Sequence, residues 1–150
     1  MHVDTSTPLP LDRGLHRPIS VAELFTIGIG PSSSHTVGPM RAAHAFASTL
    51  RASTFARIRC DLLGSLAWTG TGHATDTAVV LGLAGFLPDT IEPEQIDRVV
   101  EQARNDRSLI VAGRAIAFDP ETDIVFDRDS ETPVHPNTLR FSAFDADGAV

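Results

Sequence analysis

The sequence predicts an α+β domain, helices packed on a mixed sheet, and two kinds of periodicity carry that prediction. Apolar residues recur at helical spacing through Met40, Ala43, Phe46, Ala47 and Leu50 and again through Ile96, Val99, Val100 and Ala103. Ile58, Cys60 and Leu62 instead alternate with Arg57, Arg59 and Asp61, the period of a half-buried strand. A length of 150 residues with 42% apolar content is enough for one buried core.

Taken in order, residues 1–19 mix Pro, Ser, Thr and charge without period and read as a flexible arm before a folded domain over 20–150. Ser20-Val21-Ala22-Glu23 is a capping-box pattern that opens a short helix through about Phe25. The run from Gly28 to Pro39 packs three Gly and two Pro around a polar cluster, a density of breakers that predicts a shaped loop. Pro39 suits a first helical position, so a helix over about 39–52 follows, then the alternating strand running toward Gly64. Thr69 to Asp76 reads as a second glycine- and threonine-rich loop. It feeds a buried helix from Thr77 to Phe86, capped by Thr75 or Asp76. Pro93 opens an amphipathic helix through about Asn105. Strands are expected over Ser108 to Phe118, Ile124 to Phe126 and Thr138 to Phe144, the first two joined by a turn at 119–123. The acidic run Asp119 to Glu131 reads as a solvated hairpin, and Asp147-Gly148 as a hairpin signal calling for a returning strand, so the chain reads as a fragment cut at that boundary or as one subunit of a larger catalyst.

Composition excludes several chemistries. All 12 basic residues are Arg, and the chain has no Lys and no Tyr. It therefore holds neither a pyridoxal Schiff-base amine nor a phosphate-loop lysine. The single Cys60 cannot form an internal disulfide, and alone it cannot build a four-ligand zinc site or hold an iron–sulfur cluster, which suits a reducing, cytoplasmic setting. No stretch approaches the roughly 18 apolar residues of a membrane span, and Pro8, Pro10 and Pro18 stand where a signal peptide needs an apolar core. The net charge of −7 argues against nucleic acid as partner. It is uneven, with residues 1–87 at +1 and 88–150 at −8, so a small anion is expected at the first half.

The first loop offers Ser32, Ser33, Ser34, His35 and Thr36 just ahead of a helix N-terminus, the residue types and place that bind a carboxylate or phosphate. An imidazole among small hydroxyls and glycines also suits proton transfer at a closely approaching substrate. His73 stands in the second loop, where Asp76 either caps the helix or orients an imidazole. Should the two loops pack together, His35 and His73 give an acid and a base across one small substrate. Other constellations fail. The serines with His35 and Asp76 lack a nucleophile elbow, His35, His44 and His73 lack metal-ligand spacing, and no strand pattern precedes Gly28-x-Gly30.

The stretch Glu23-Leu24-Phe25-x-Ile27-Gly28-Ile29-Gly30-Pro31-Ser32-Ser33-Ser34-His35-Thr36-Val37-Gly38-Pro39-Met40 resembles the N-terminal signature of the bacterial iron–sulfur L-serine dehydratases, or L-serine ammonia-lyases. Gly64-Ser65-Leu66-Ala67-x-Thr69-Gly70-x-Gly72-His73-x-Thr75-Asp76 is similar to a second block, and Pro133-Val134-His135-Pro136-Asn137 to a shorter third. The resemblance implies a beta domain like the regulatory domain of some phosphoglycerate dehydrogenases, followed by a helical domain whose cysteines hold a four-iron, four-sulfur cluster. It implies conversion of L-serine to pyruvate and ammonia by β-elimination, with one iron as Lewis acid, and hence no need of a lysine. His35 and His73 would be the acid/base pair, with His73 favoured as proton abstractor. Ser32, Ser33, Ser34, Thr36, Asp76 and Asn137 would bind substrate. The metal ligands would lie outside this chain, which alone is expected to hold no cofactor and to be inactive. Its expected partners are L-serine, the helical domain and a second copy in a homodimer. The alternative is a serine-binding regulatory or dimerising module with catalysis wholly elsewhere.

Overall fold

A computed structural model describes residues 30–132 and 134–149. The arm and the short helix expected near Ser20 lie outside them. The order of elements is a π-helical turn (Ser33–Val37), α1 (Gly38–Thr49), a 3-10 turn (Leu50–Ala52), β1 (Arg57–Gly64), α2 (Ser65–Thr69), a 3-10 turn (Gly70–His73) and α3 (Thr75–Leu83). Then come α4 (Pro93–Asp106), β2 (Ser108–Val111), β3 (Arg114–Ala117), the single turn α5 (Pro120–Asp123), β4 (Ile124–Asp127) and β5 (Asn137–Phe144). This is the α+β architecture expected, helices on a mixed sheet.

β1 is the spine of the sheet. It pairs antiparallel with β5 along its whole length, from Arg57 opposite Phe144 to Gly64 opposite Asn137. On its other side it pairs parallel with β4, Cys60 opposite Ile124 and Leu63 opposite Asp127, and touches β3 at Arg57 opposite Ala117. The alternation holds at Arg57 and Arg59, which are exposed, and at Ile58, Cys60 and Leu62, which are buried. It breaks at Asp61, which is buried because Arg59 (2.8 Å) and Arg140 of β5 (3.2 Å) neutralise its carboxylate across the sheet.

α1 and α3 cross closely, and the reason is Gly82. A Cβ there would fall 2.7 Å from Ala43 Cβ and closer still to the Met40 carbonyl, so the missing side chain sets the approach of the two backbones. α3 is buried almost all round, Ala78 to Leu83 contributing to a core shared with Met40, Ile58, Leu62, Leu66 and Phe118. α4 lays Val100 and Ala103 inward, as its amphipathic pattern predicts, and its first turn is closed by a capping box between Glu92 and Gln95.

Four expectations are corrected. The breaker-rich run is a loop only to Ser32. From Ser33 it coils into a π-helical turn continuous with α1, with Thr36 and Val37 N–H both donating to the Ser32 carbonyl. Pro39 fits because a first-turn residue needs no N–H partner. The second loop is likewise helical, broken at Ala74, whose left-handed backbone (φ 55°) starts α3 with neither Thr75 nor Asp76 as side-chain cap. The strand expected over 108–118 is a hairpin, turning at Ala112 (φ 50°) and Gly113 (φ 81°), the positive-φ pair of a two-residue turn. Finally, the acidic run is no solvated hairpin. Asp119 caps α5 by accepting from the Glu121 N–H, and Asp123 is buried against Arg57 (2.7 Å).

Candidate functional site

The two helical turns that replace the expected loops bring their histidines together. Ser32 is extended (φ −135°, ψ 126°), and its hydroxyl accepts from the His35 N–H at 3.3 Å, which starts the π turn. His35 rides on that turn and His73 ends the 3-10 turn before α3. Their ring centroids are 5.1 Å apart, with the planes inclined by 37°.

The hydrogen bonds distinguish the two rings. His73 Nδ1 lies 2.8 Å from the Thr69 carbonyl, and a carbonyl only accepts, so Nδ1 carries the hydrogen. In the neutral ring Nε2 then keeps its lone pair. His35 Nδ1 meets Ser34 Oγ and its Nε2 meets Ser65 Oγ, each at 2.9 Å. Hydroxyls donate or accept, so His35 is held in either protonation state.

Ser65 went unassigned as a site residue in the sequence. It is placed by Gly64, whose backbone (φ 59°, ψ −130°) is open to glycine alone and turns the chain from β1 into α2. The Ser65 N–H donates to the Pro136 carbonyl at 2.7 Å, tying it to the segment before β5. Its position was a usable signal, being the first hydroxyl past the end of a strand.

The remaining residues divide. Ser33 and Ser34 are exposed beside His35, and the first turn of α1 carries no acidic residue, which leaves a helix entry favourable to an anion. Thr36 is fully buried, and its hydroxyl donates to the His73 carbonyl at 2.8 Å. Asp76 faces Arg104 of α4 at 3.8 Å. Asn137 stands opposite Gly64 in the sheet register, one residue from Ser65, with its N–H donating to His135 Nδ1 at 2.9 Å.

Among the described residues, surface cavities of 60 to 430 Å³ have neither imidazole in their lining, and one of 270 Å³ is lined by Asp76 together with Arg104. His35 and His73 are half-buried, and Trp68 of α2 is 66% exposed with the Arg128 guanidinium 5.2 Å from its ring. Residues present do not fit an iron–sulfur cluster. Cys60 is buried in β1, and among the described residues no three His, Cys, Asp or Glu side chains group as metal ligands. No helix among them is long and apolar enough to cross a membrane.

Residues 20–150 match the family described as the serine dehydratase beta chain. The chain is 47% identical over 136 residues to an L-serine dehydratase of Streptomyces coelicolor, covering 87% of this chain and 30% of that protein. It is 45% identical to an L-serine dehydratase of Mycobacterium tuberculosis (88% and 30% covered) and 39% identical to L-serine dehydratase 2 of Escherichia coli (88% and 30%). The chain thus spans about 30% of the length of the curated relatives it matches.

Proposed function

The chain belongs to the serine dehydratase beta-chain family, and from that premise we propose that it supplies the proton-transfer face of an enzyme converting L-serine to pyruvate and ammonia. The observation that carries the reading is the Nδ1–H of His73 donating to the Thr69 carbonyl, which leaves Nε2 basic beside a second imidazole 5.1 Å away. His73 takes the α-proton. His35, able to hold a proton between Ser34 and Ser65, gives one to the departing β-hydroxyl, which leaves as water. The aminoacrylate left behind tautomerises to an imine, and water hydrolyses that to pyruvate and ammonia. Ser32, Ser33 and Ser34 at the helix entry receive the substrate carboxylate. Any iron–sulfur cluster belongs to the remainder of the longer enzyme, and no step is routed through it here.

Half-buried imidazoles outside the described cavities suit a partner that completes the site, which in this reading is the part of the enzyme beyond the matched 30%. The test joins this chain to the remaining part of the Streptomyces coelicolor relative. In that chimera His73→Gln and His35→Gln each lower kcat by about 10²-fold or more with KM little changed. A rise in KM or altered cooperativity at constant kcat would instead make the domain a serine-binding regulatory module. The 150-residue chain alone forms no pyruvate, and turnover by it overturns the division of labour.

A further inference from the structure

Two buried threonines join the histidine segments in a reciprocal pattern. Thr36 follows His35 and donates to the carbonyl of His73 at 2.8 Å, while Thr75, two residues after His73, donates to the carbonyl of His35 at 2.5 Å. Each hydroxyl thus grips the backbone of the other segment's histidine. Both side chains are fully buried, so neither presents its hydroxyl to a ligand. Two glycines make room for them. A Cβ on Gly30 would fall 2.6 Å from Thr36 Cγ2, and one on Gly70 would fall 3.1 Å from Thr75 Oγ1. Between His73 and Thr75, Ala74 is held left-handed (φ 55°), a conformation an alanine adopts only when its surroundings compel it.

We infer that Thr36 and Thr75 are positioning residues, a hydrogen-bonded clasp that sets the separation and tilt of the His35 and His73 rings, and that Thr36 is not a substrate contact. Among the described residues, no other hydrogen bond ties the π turn directly to the 3-10 turn or to the start of α3. Ser65 reaches His35 from α2, but its bond is to the ring, which can swing. The carbonyl bonds fix the backbones from which the rings hang. The value of that for catalysis rests on the proton-transfer reading above, since a displacement of about 1 Å costs on the order of 10²-fold in rate.

The experiment reads geometry and rate separately. Nuclear Overhauser contacts between the ring protons of His35 and His73 are measured in the 150-residue chain for Thr36→Val, Thr75→Val and Thr36→Ser. Valine keeps the shape and deletes the hydroxyl, whereas serine keeps the hydroxyl. The ring contact weakens at least about twofold in both valine variants and is retained in the serine variant, and in the chimera the valine variants lower kcat by about 10- to 100-fold with KM little changed. A folded Thr36→Val chain with the parent ring contact overturns the clasp, as does a serine variant as damaged as the valine. Should the valine variants not fold, the parent chain decides. Both threonine hydroxyl protons must be protected from exchange, with contacts to the opposite segment, and an unprotected one overturns the inference. Ring contacts that respond as stated while kcat does not move sink the proton-transfer reading and leave the clasp standing.

Discussion

The chain should lose stability in alkali through one side chain, Cys60. Burial pushes this thiol far above its usual range, and the adjacent Asp61 carboxylate adds to the effect. In the unfolded chain it ionises near the ordinary value of about 8.5. The native state therefore keeps a proton that the unfolded state gives up, so the stabilisation is complete below about pH 8.5 and is lost as the pH rises beyond it. The slope is about 1.4 kcal/mol per pH unit, or roughly 2 kcal/mol between pH 8.5 and 10. That is a large share of the roughly 5–15 kcal/mol that holds a domain together. The composition isolates the effect. With no Lys and no Tyr, and with Arg titrating only above about pH 12, no other side chain changes charge in this window. Urea unfolding at steps from about pH 7.5 to 10.5 measures it, with Cys60→Ala as control. The alanine chain starts lower by about 1 kcal/mol for the lost sulfur but stays level with pH. A level profile in the parent chain, or an equally steep one in Cys60→Ala, refutes the reasoning.

Two further expectations concern backbone positions. Gly82→Ala should destabilise by about 2–3 kcal/mol in thermal melts, because the new methyl meets Ala43 and the Met40 carbonyl and parts the helices that carry the site. Helix propensity alone argues for a gain of about 1 kcal/mol, so the sign of the change decides, and Gly72→Ala, which meets nothing within 4 Å, is the matched control. Arg107 ends α4 in a left-handed conformation (φ 47°, ψ 40°), and Arg107→Gly should stabilise by about 1 kcal/mol in urea. The surface ion pair it gives up to Asp119 at 3.5 Å offsets only tenths of that, so a loss of stability would sink the argument.

The fold could be read from the sequence wherever one period governed a segment. α1, α4 and Ile58, Cys60 and Leu62 of β1 followed from spacing, because in each the apolar residues line one face of the element. Reading failed where glycine and proline were taken as stops. Gly38 and Gly70 both adopt ordinary right-handed helical angles, φ −59° in each case; a Cβ on Gly38 would make only ordinary contact with the Ser33 carbonyl, whereas Gly70 is glycine for reasons of space. At Gly70 that space is taken by Thr75 and Phe126. Composition registers a small residue but not what lies above it. The hairpin at Ala112-Gly113 hid for the opposite reason, since an alanine with positive φ is an uncommon turn residue and carries no signal of its own.

At the site the residue types were readable and their division of labour was not. Hydroxyls around an imidazole, met twice in one chain, are enough to suggest a proton-transfer face, and the structure puts the two rings side by side. Which nitrogen carries hydrogen depends on the Thr69 carbonyl, a backbone group that any residue would supply, so no reading of side chains reaches it. Thr36 shows the difficulty most sharply. Within its own segment it is one more hydroxyl beside three serines, and only a partner 37 residues away, the carbonyl of His73, turns it from a candidate ligand contact into a tie between segments. A contact made across the fold is invisible to local pattern even when both ends lie in conspicuous motifs. Two motifs that each hold a histidine next to a buried threonine are more than two halves of a pocket; each supplies the bond that holds the other's histidine in place.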